Sequence, residues 1–273
     1  MKKKLNKKKI IYFIVMIFFS ITFIFSGYKI VKYIIDTKKT NDDITNLQEI
    51  ASPTEVEDTE ETVVVEEEII DGVESPYTSY TKMNLLDVNF DELKSINSDV
   101  VGWIEVKGTS VNYPFVQADN NEFYLDHSFN KSYNGGGWVF LDYRNSRDLM
   151  DKNNILYAHS MINNTMFGTL RNTLTDAWLN NTDNHIIRIS TESVNSMWQV
   201  FSVYHIPTTS DYMQTYFSSD ENFLNFANML KNRSIHDFGV NLNADDKIIT
   251  LSTCYQTDQR KLVHAKLIKM EAK

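Results

Sequence analysis

The chain has 273 residues and an ordinary apolar fraction of 42%, enough for one large folded domain or two small ones. Its net charge of −9 and the mild acidic excess after residue 81 exclude the extended basic face that nucleic acids require. Its one cysteine excludes an internal disulfide, and without paired histidines it also argues against a zinc site.

The N-terminus has the composition of a membrane anchor. Residues 1–9 contain six lysines, and the 19 residues from Ile10 to Tyr28 contain no charge. A helix of that length spans the ~30 Å apolar core of a bilayer, and lysines before it favour a cytoplasmic N-terminus. A cleaved signal peptide is the alternative, but its apolar run is normally shorter and ends in an Ala-x-Ala-like site. We therefore expect a cytoplasmic tail at 1–9, a transmembrane anchor at 10–35 and everything after it outside the cell.

Residues 36–81 form an acidic segment. Between residues 40 and 81 there are thirteen Asp or Glu and no Lys or Arg. Such a segment buries too little apolar surface to fold, and its like charges keep it extended. We expect a disordered spacer that holds a domain away from the membrane. The apolar stretches Val63–Val65 and Ile69–Ile70 offer the alternative of an added edge strand.

Residues 82–273 are expected to form an extracellular domain rich in β-structure. A short helix is predicted from Asn89 to Ile96, and a second at 218–231, where Ser218 and Glu221 form a capping box. Eight β-rich runs separated by Gly, Asn and Asp indicate a closed barrel or a sandwich. These runs are Trp103–Val106, Ser110–Tyr113, Gly137–Leu141, Asn154–His159, His185–Ser190, Met197–Tyr204, Lys247–Cys254 and Leu262–Leu267.

Cys254 closes an apolar strand, where a substrate can reach a thiol at the rim of a sheet. A short polar loop follows, so Arg260 begins the neighbouring strand beside it. A guanidinium suits a substrate backbone or a developing oxyanion. Taken alone, either residue has a simpler interpretation, because lone cysteines are often buried apolar groups and most surface arginines are only solvated.

His159 ends another predicted strand and enters a polar loop. Cysteine acyl transfer needs a thiolate and a group that protonates the leaving amine, and histidine titrates in the right range. The remaining histidines lie within strands or lack a partner motif. The run Gly135–Gly137 is followed by neither a helix nor a Lys-Ser/Thr pair, so it is not a phosphate loop. We expect no metal and no cofactor.

Three separated segments together resemble the class B sortases. Thr250-Leu251-Ser252-Thr253-Cys254 followed by Arg260 is similar to the sortase pattern Thr-Leu-x-Thr-Cys and Arg. The other matching stretches are Val101–Ile104, Tyr113–Gln117, Phe140–Asn145, Asn154–Met161 and Thr165–Gly168. The resemblance covers about residues 87–267, nearly all of the expected folded domain.

The resemblance implies a mainly β fold, a closed eight-stranded barrel with an N-terminal helical element and a helix in the connection before the Cys strand. It implies a transpeptidase whose thiolate cleaves after Thr in a C-terminal sorting motif and forms a thioester. An amine of peptidoglycan or of its lipid-linked precursor then resolves the thioester. The implied catalytic residues are His159, Cys254 and Arg260. The implied substrate-binding residues are Leu125, Thr208, Tyr212, Met213 and Ser252.

One departure and three alternatives remain open. Some relatives carry an acidic residue directly after the Cys, whereas here the nearest carboxylate is Asp258, so a third catalytic role stays unassigned. L,D-transpeptidases also place His before Cys, but their Ser-x-Gly-Cys-type pattern is absent. A papain-like hydrolase has the opposite chain order. The non-enzymatic alternative is a tethered extracellular scaffold or adhesin with an inert thiol.

Overall fold

The computed structural model describes residues 7–65, 79–255 and 258–273 of the chain. It divides into two compact units, Met1–Lys39 and Thr40–Lys273, which are considered separately. In the first unit, helix α1 (Lys7–Ala51) begins as a long apolar helix. Its large side chains between Ile10 and Ile35 are exposed. By length and composition it is a candidate membrane span.

The second unit alternates short strands with short helices. Its strands are β1 (Thr54–Val56), β2 (Val63–Val64), β3 (Leu85–Asp87), β4 (Val100–Val106), β5 (Asn112–Val116), β6 (Phe140–Leu141), β7 (Asn153–Tyr157), β8 (Ile186–Thr191), β9 (Val194–Pro207), β10 (Ile248–Tyr255) and β11 (Gln259–Ala272). Its further α-helices are α2 (Asp91–Ile96), α3 (Asp176–Leu179) and α4 (Asp220–Asn232), and 3-10 helices cover Phe123–Leu125, Gly168–Leu174 and Thr182–Asn184.

Strands β4 to β11 close into the eight-stranded barrel that the sequence predicts. Their order around the barrel is β10-β7-β6-β5-β4-β8-β9-β11, and β11 pairs back onto β10. Most neighbours are antiparallel, whereas β5–β6 and β7–β10 are parallel. Closure leaves no open edge among these strands. Helix α2 precedes the barrel and α4 lies in the connection before β10, so the predicted fold is confirmed.

The barrel interior is filled by alternate residues of each strand. In β10 and β11, Ile249, Leu251 and Val263 belong to the main core and have no exposed surface. The intervening residues lie on the outer face of the barrel. There, Ile248 and Leu262 pack in a second cluster with the apolar stripe of α4. Helix α4 therefore covers part of the outer face of β10 and β11, and a site can form on this face.

Helix α4 begins one residue later than its sequence pattern suggests. The predicted cap, Ser218, is not the N-cap. Ser219 occupies that position, and its side chain accepts a hydrogen bond from the Asn222 backbone N at 3.2 Å. The predicted Ser218–Glu221 capping box is therefore wrong, because an adjacent serine satisfies the exposed N–H group equally well.

The expectation of a disordered spacer at 36–81 is wrong for residues 40–65. Helix α1 continues to Ala51, and Leu47 and Ala51 belong to the main core. Strand β1 pairs with β3, and β2 pairs with β11 as the edge strand that Val63–Val65 offered. Residues 66–78, including Ile69–Ile70, lie outside the described residues.

Charge pairing explains why part of the acidic segment folds. The Glu55 carboxylate lies 2.7 Å from Nη1 of Arg188, a side chain that is only 4% exposed. Asp58 pairs with Lys269, whose side chain is fully buried. Buried cations need carboxylate partners, and the acidic segment supplies one to Lys269 and a second one to Arg188, which also pairs with Glu105 of β4.

Candidate active site

The site lies at the rim of the barrel, where β7 and β10 end and β11 begins. Cys254 is the direct antiparallel partner of Arg260 in the β10–β11 ladder. Because paired residues share a face of a sheet, both positions belong to one face. Alternation along β10 places Cys254 on the face that carries Ser252, which is the outer face of the barrel.

His159 reaches the same place from the other side of β10. Strand β7 runs parallel to β10 and aligns Tyr157 with Ser252. The alignment continues past the strand end, because the Thr253 hydroxyl donates to the Ala158 carbonyl at 2.7 Å. The next residue, His159, lines the same cleft as Ser252 and Arg260. The chain thus brings the three predicted catalytic positions into one row across three strands.

A cleft of about 560 Å³ opens along this row. His159 and Arg260 line it, as do all five residues predicted to bind substrate: Leu125, Thr208, Tyr212, Met213 and Ser252. Further lining residues are Asn121, Phe140, Tyr157, Ala158, Thr209, Ser210 and Thr253. The sequence analysis did not assign these seven to the site. Tyr157 could have been assigned to the site from the sequence, because alternation along the predicted strand puts it on the same face as His159.

The His159 ring is held by a backbone carbonyl. Its Nε2 lies 2.7 Å from the carbonyl oxygen of Leu125. A carbonyl only accepts hydrogen bonds, so Nε2 carries the proton and Nδ1 carries the lone pair when the ring is neutral. Gly137 makes this contact possible, because a Cβ built there would lie 2.7 Å from the same Leu125 oxygen. Its φ of +59° is also one that glycine adopts without strain.

Arg260 keeps most of its donors available to the cleft. Its Nη1 donates to the carbonyl of Gln259 at 3.2 Å. Within the described part of the chain, no carboxylate lies within ion-pair distance of its guanidinium. A guanidinium carries five N–H donors, so several remain to meet an anion or a peptide carbonyl.

The β9–α4 connection (residues 208–219) forms the wall opposite the barrel. Both the backbone N and the hydroxyl of Thr208 donate to the Asp258 carbonyl, each at 2.9 Å. The Tyr212 hydroxyl and the Ser252 hydroxyl lie 3.0 Å apart. The Asn153 amide donates to the Tyr212 carbonyl at 3.2 Å. These contacts fix the connection against β7 and β10.

The three positions carry a cysteine, a histidine and an arginine, residue types that can serve as nucleophile, base and anion-binding group. Within the described ranges, no group of three or more His, Cys, Asp or Glu side chains is placed to hold a metal ion. The Asp258 carbonyl accepts the hydrogen bonds of Thr208, and no third catalytic role is assigned to the exposed Asp258 side chain.

The chain is similar to known proteins in sequence and in fold. Residues 104–268 match the family described as Sortase domain. The chain is 36% identical over 185 residues to sortase B of Staphylococcus aureus, covering 66% of this chain and 75% of that relative. It is 32% identical over 163 residues to sortase B of Listeria monocytogenes, covering 60% and 65%. A crystal structure of sortase B from Bacillus anthracis matches with a TM-score of 0.70 at 28% identity, covering 86% of this chain and 99% of that one.

Proposed function

This chain belongs to the class B sortases, cysteine transpeptidases that anchor proteins to the cell wall, and we propose that His159, Cys254 and Arg260 carry its reaction. The observation that carries the proposal is the row of these three positions across β7, β10 and β11 beside the cleft. Each position has the chemical type that one step of acyl transfer needs.

In the first half-reaction, the Cys254 thiolate attacks the carbonyl carbon of the Thr in a C-terminal sorting motif. A C–S bond forms and the carbonyl oxygen becomes an oxyanion, which Arg260 stabilises with its unused N–H donors. The C–N bond then breaks. The leaving amine takes the proton that Nδ1 of His159 received from the Cys254 thiol when the thiolate formed, since Nε2 is held by the Leu125 carbonyl.

The second half-reaction reverses these roles. An amine from peptidoglycan or its lipid-linked precursor attacks the thioester carbon and gives its proton to Nδ1 of His159. The C–S bond breaks, and the thiolate leaves as the new amide forms. A metal or redox cofactor has no step to perform in this sequence.

The remaining cleft residues bind the sorting peptide. Leu125 and Met213 offer apolar contacts, and Leu125 is 40% exposed at the cleft. Thr208, Tyr212 and Ser252 surround the end of the cleft near Cys254. The hydroxyls of Tyr212 and Ser252 bond each other, so they form a fixed polar patch beside the scissile bond.

We further propose that the cytoplasmic tail is 1–9, that 10–35 cross the membrane, and that the catalytic domain lies outside. The lysines before the apolar run support this orientation. Protease added to intact protoplasts should then digest the domain and leave a small membrane-bound fragment. Protection of the domain with cleavage of the N-terminus would reverse the orientation.

A small panel of quenched sorting peptides tests the activity. The chain should cleave one of them and, with an added amine, transfer it. Cys254→Ala should form no thioester, because the chain has no other thiol. A thioester detected on that variant would contradict the proposed mechanism. The scaffold alternative predicts a Cys254 that a charged methanethiosulfonate does not modify.

A further inference from the structure

A buried carboxylate lies directly behind the wall of the cleft. The side chain of Asp142 has no exposed surface. Its Oδ1 accepts hydrogen bonds from the backbone N and from Nε of Arg144, at 3.0 and 2.8 Å. Its Oδ2 accepts from Arg144 Nη2 at 2.7 Å, from the Tyr157 hydroxyl at 2.9 Å and from the Asn121 amide at 3.0 Å. Neither Asp142 nor Arg144 is itself among the residues lining the cleft.

The partners of this ion pair come from three separate parts of the cleft wall. Asn121 precedes the turn that carries Leu125, and Tyr157 ends β7. The third part is the β9–α4 connection, where Arg144 Nη2 donates to the Met213 carbonyl at 3.0 Å. Asn121, Tyr157 and Met213 all line the cleft. The ion pair between the buried Asp142 and the partly exposed Arg144 therefore ties together three segments that are distant in sequence.

The bonds also decide what each wall residue presents to a substrate. The Asn121 Oδ1 accepts from the Tyr143 backbone N at 3.0 Å while its Nδ2 donates to Asp142, so its amide is used on both ends. The Tyr157 hydroxyl donates inward to Asp142. Asn121 and Tyr157 thus shape the wall and leave little hydrogen-bonding capacity for substrate recognition.

We propose that Asp142 and Arg144 are positioning residues that set the shape, and thereby the selectivity, of the sorting-peptide pocket. The inference rests on the proposed function, because it deepens the role of the same cleft. It assigns these two residues no contact with the reacting atoms. They act through Asn121, Tyr157 and Met213, whose places they fix.

Physical chemistry favours positioning over a purely stabilising role. A buried ion pair is weak evidence for stability, because desolvation offsets much of the attraction. Burial raises the pKa of Asp142, but hydrogen bonds from Arg144 and Tyr157 outweigh it and leave this pKa below its ordinary value. The carboxylate is therefore charged throughout the neutral range. It remains an acceptor for all of its donors, whatever occupies the cleft.

Two variants separate geometry from charge. Arg144→Lys keeps a positive charge but cannot bind both carboxylate oxygens and the Met213 carbonyl. Asp142→Asn keeps the shape but removes the charge and turns one acceptor into a donor. For each variant, kcat and KM are measured on a cleaved sorting peptide and on peptides changed at one position before the Thr. The rate of Cys254 alkylation is measured alongside, because it does not require the peptide pocket.

We expect kcat/KM to fall about tenfold or more in Arg144→Lys, mostly through KM, as wall residues shift by a fraction of an ångström. Discrimination between peptides should shrink, and alkylation of Cys254 should stay unchanged. A matched control is Lys94→Ala, which breaks an exposed ion pair with Glu192. It should behave as the unmodified chain.

Unchanged KM and unchanged peptide discrimination in a folded Arg144→Lys protein would overturn the inference. Equal losses in peptide cleavage and in alkylation would also overturn it, because they would indicate general disruption. Asp142→Asn is assessed together with its melting temperature. If Asp142→Asn unfolds, Arg144→Lys still decides the test, because the Arg144 side chain is partly exposed and its replacement should leave the domain folded. If the unmodified chain cleaves no sorting peptide, the proposed function fails instead, which is a distinguishable result.

Discussion

Cys254 and Arg260 are direct partners in the antiparallel β10–β11 ladder, with one short loop between them. The pairing fixes the distance between the backbones of these two positions. A change at Arg260 should therefore test chemistry without moving Cys254.

If Arg260 binds the oxyanion or the peptide backbone through two N–H groups of its planar guanidinium, Arg260→Lys should lose activity nearly as badly as Arg260→Ala. The expected loss in kcat is roughly the 10²–10³-fold seen for one lost oxyanion donor, because Lys keeps the charge but not the geometry. Steady-state cleavage of a sorting peptide measures it. Near-normal kcat in Arg260→Lys would reject this bidentate role. Arg260 would then contribute only its positive charge.

His159→Ala should reduce kcat by the ~10²–10⁴-fold typical of a lost general acid or base. The ring has no substitute nearby in the row of catalytic positions. The measurement is single-turnover thioester formation and its resolution by an added amine. The control is His205→Gln, an exposed histidine of β9 that pairs with Lys261 and so lies on the sheet face opposite Arg260. Comparable losses in both variants would argue against the assigned role of His159.

The contact between His159 and the Leu125 carbonyl is testable through Gly137. Gly137→Ala places a Cβ against the Tyr124 and Leu125 carbonyls and should displace the acceptor of Nε2. We expect a lower kcat and an altered pH–rate profile. Gly239→Ala is the matched control, since its φ is also positive, +66°, but nothing lies within 4 Å of the added Cβ.

Both glycine variants should lose stability from backbone strain, Gly137→Ala more so because its Cβ also meets two carbonyls, and only Gly137→Ala should lose kcat. Melting temperatures separate the two effects. Equal kcat in the two variants would show that the Leu125 carbonyl does not position His159.

The folded part of the acidic segment predicts a limit to N-terminal truncation. A chain starting at Thr40 keeps Glu55 and Asp58, whereas a chain starting at Lys82 leaves Arg188 without Glu55 and the buried Lys269 without Asp58. We expect the shorter chain to be less stable, chiefly because the fully buried Lys269 loses its carboxylate partner, whereas Arg188 keeps Glu105. Chemical denaturation measures this difference.

Lys269→Met in the shorter chain should restore part of that stability, because it removes the unpaired buried charge. Equal stability of the two truncated chains would show that residues 40–65 add nothing to the domain.

A pH effect on stability is expected from His264. It is fully buried between the hydroxyls of Thr250 and Tyr204, at 2.9 and 3.0 Å. Burial, together with Arg233, lowers the pKa of His264 to about 3. Between pH 6.5 and 3, the unfolded chain thus binds a proton that the folded chain does not, and stability falls as the pH falls.

Between pH 6.5 and 5, where carboxyl groups stay ionised, the expected loss from His264 is about 1.5 kcal/mol. His264→Gln should flatten the slope of unfolding free energy against pH, whatever its effect at pH 7. The pKa of His185 is also lowered by burial, so part of the slope should remain. An unchanged slope in His264→Gln would contradict the assignment.

The local sequence by itself determined the barrel strands and the Cys–Arg half of the site. Each of the eight predicted runs overlaps one barrel strand, because alternation and turn residues act over a few residues. Their ends were less predictable: β9 runs from Val194 to Pro207, beyond the predicted Met197–Tyr204. Cys254 and Arg260 were predictable as neighbours, because a short loop between two strands makes the second strand pair with the first.

Only the tertiary structure decided the remainder. The parallel pairing of β7 with β10 joins residues about a hundred positions apart, and no local pattern encodes its register. For the same reason, the bonds of Asp142 to Tyr157 and Asn121 were not foreseen. Charge counts indicated a solvated acidic spacer, but they cannot tell which carboxylate meets a buried cation. That depends on where the folded barrel places Arg188 and Lys269, because electrostatic partners are chosen by distance in space and not along the chain.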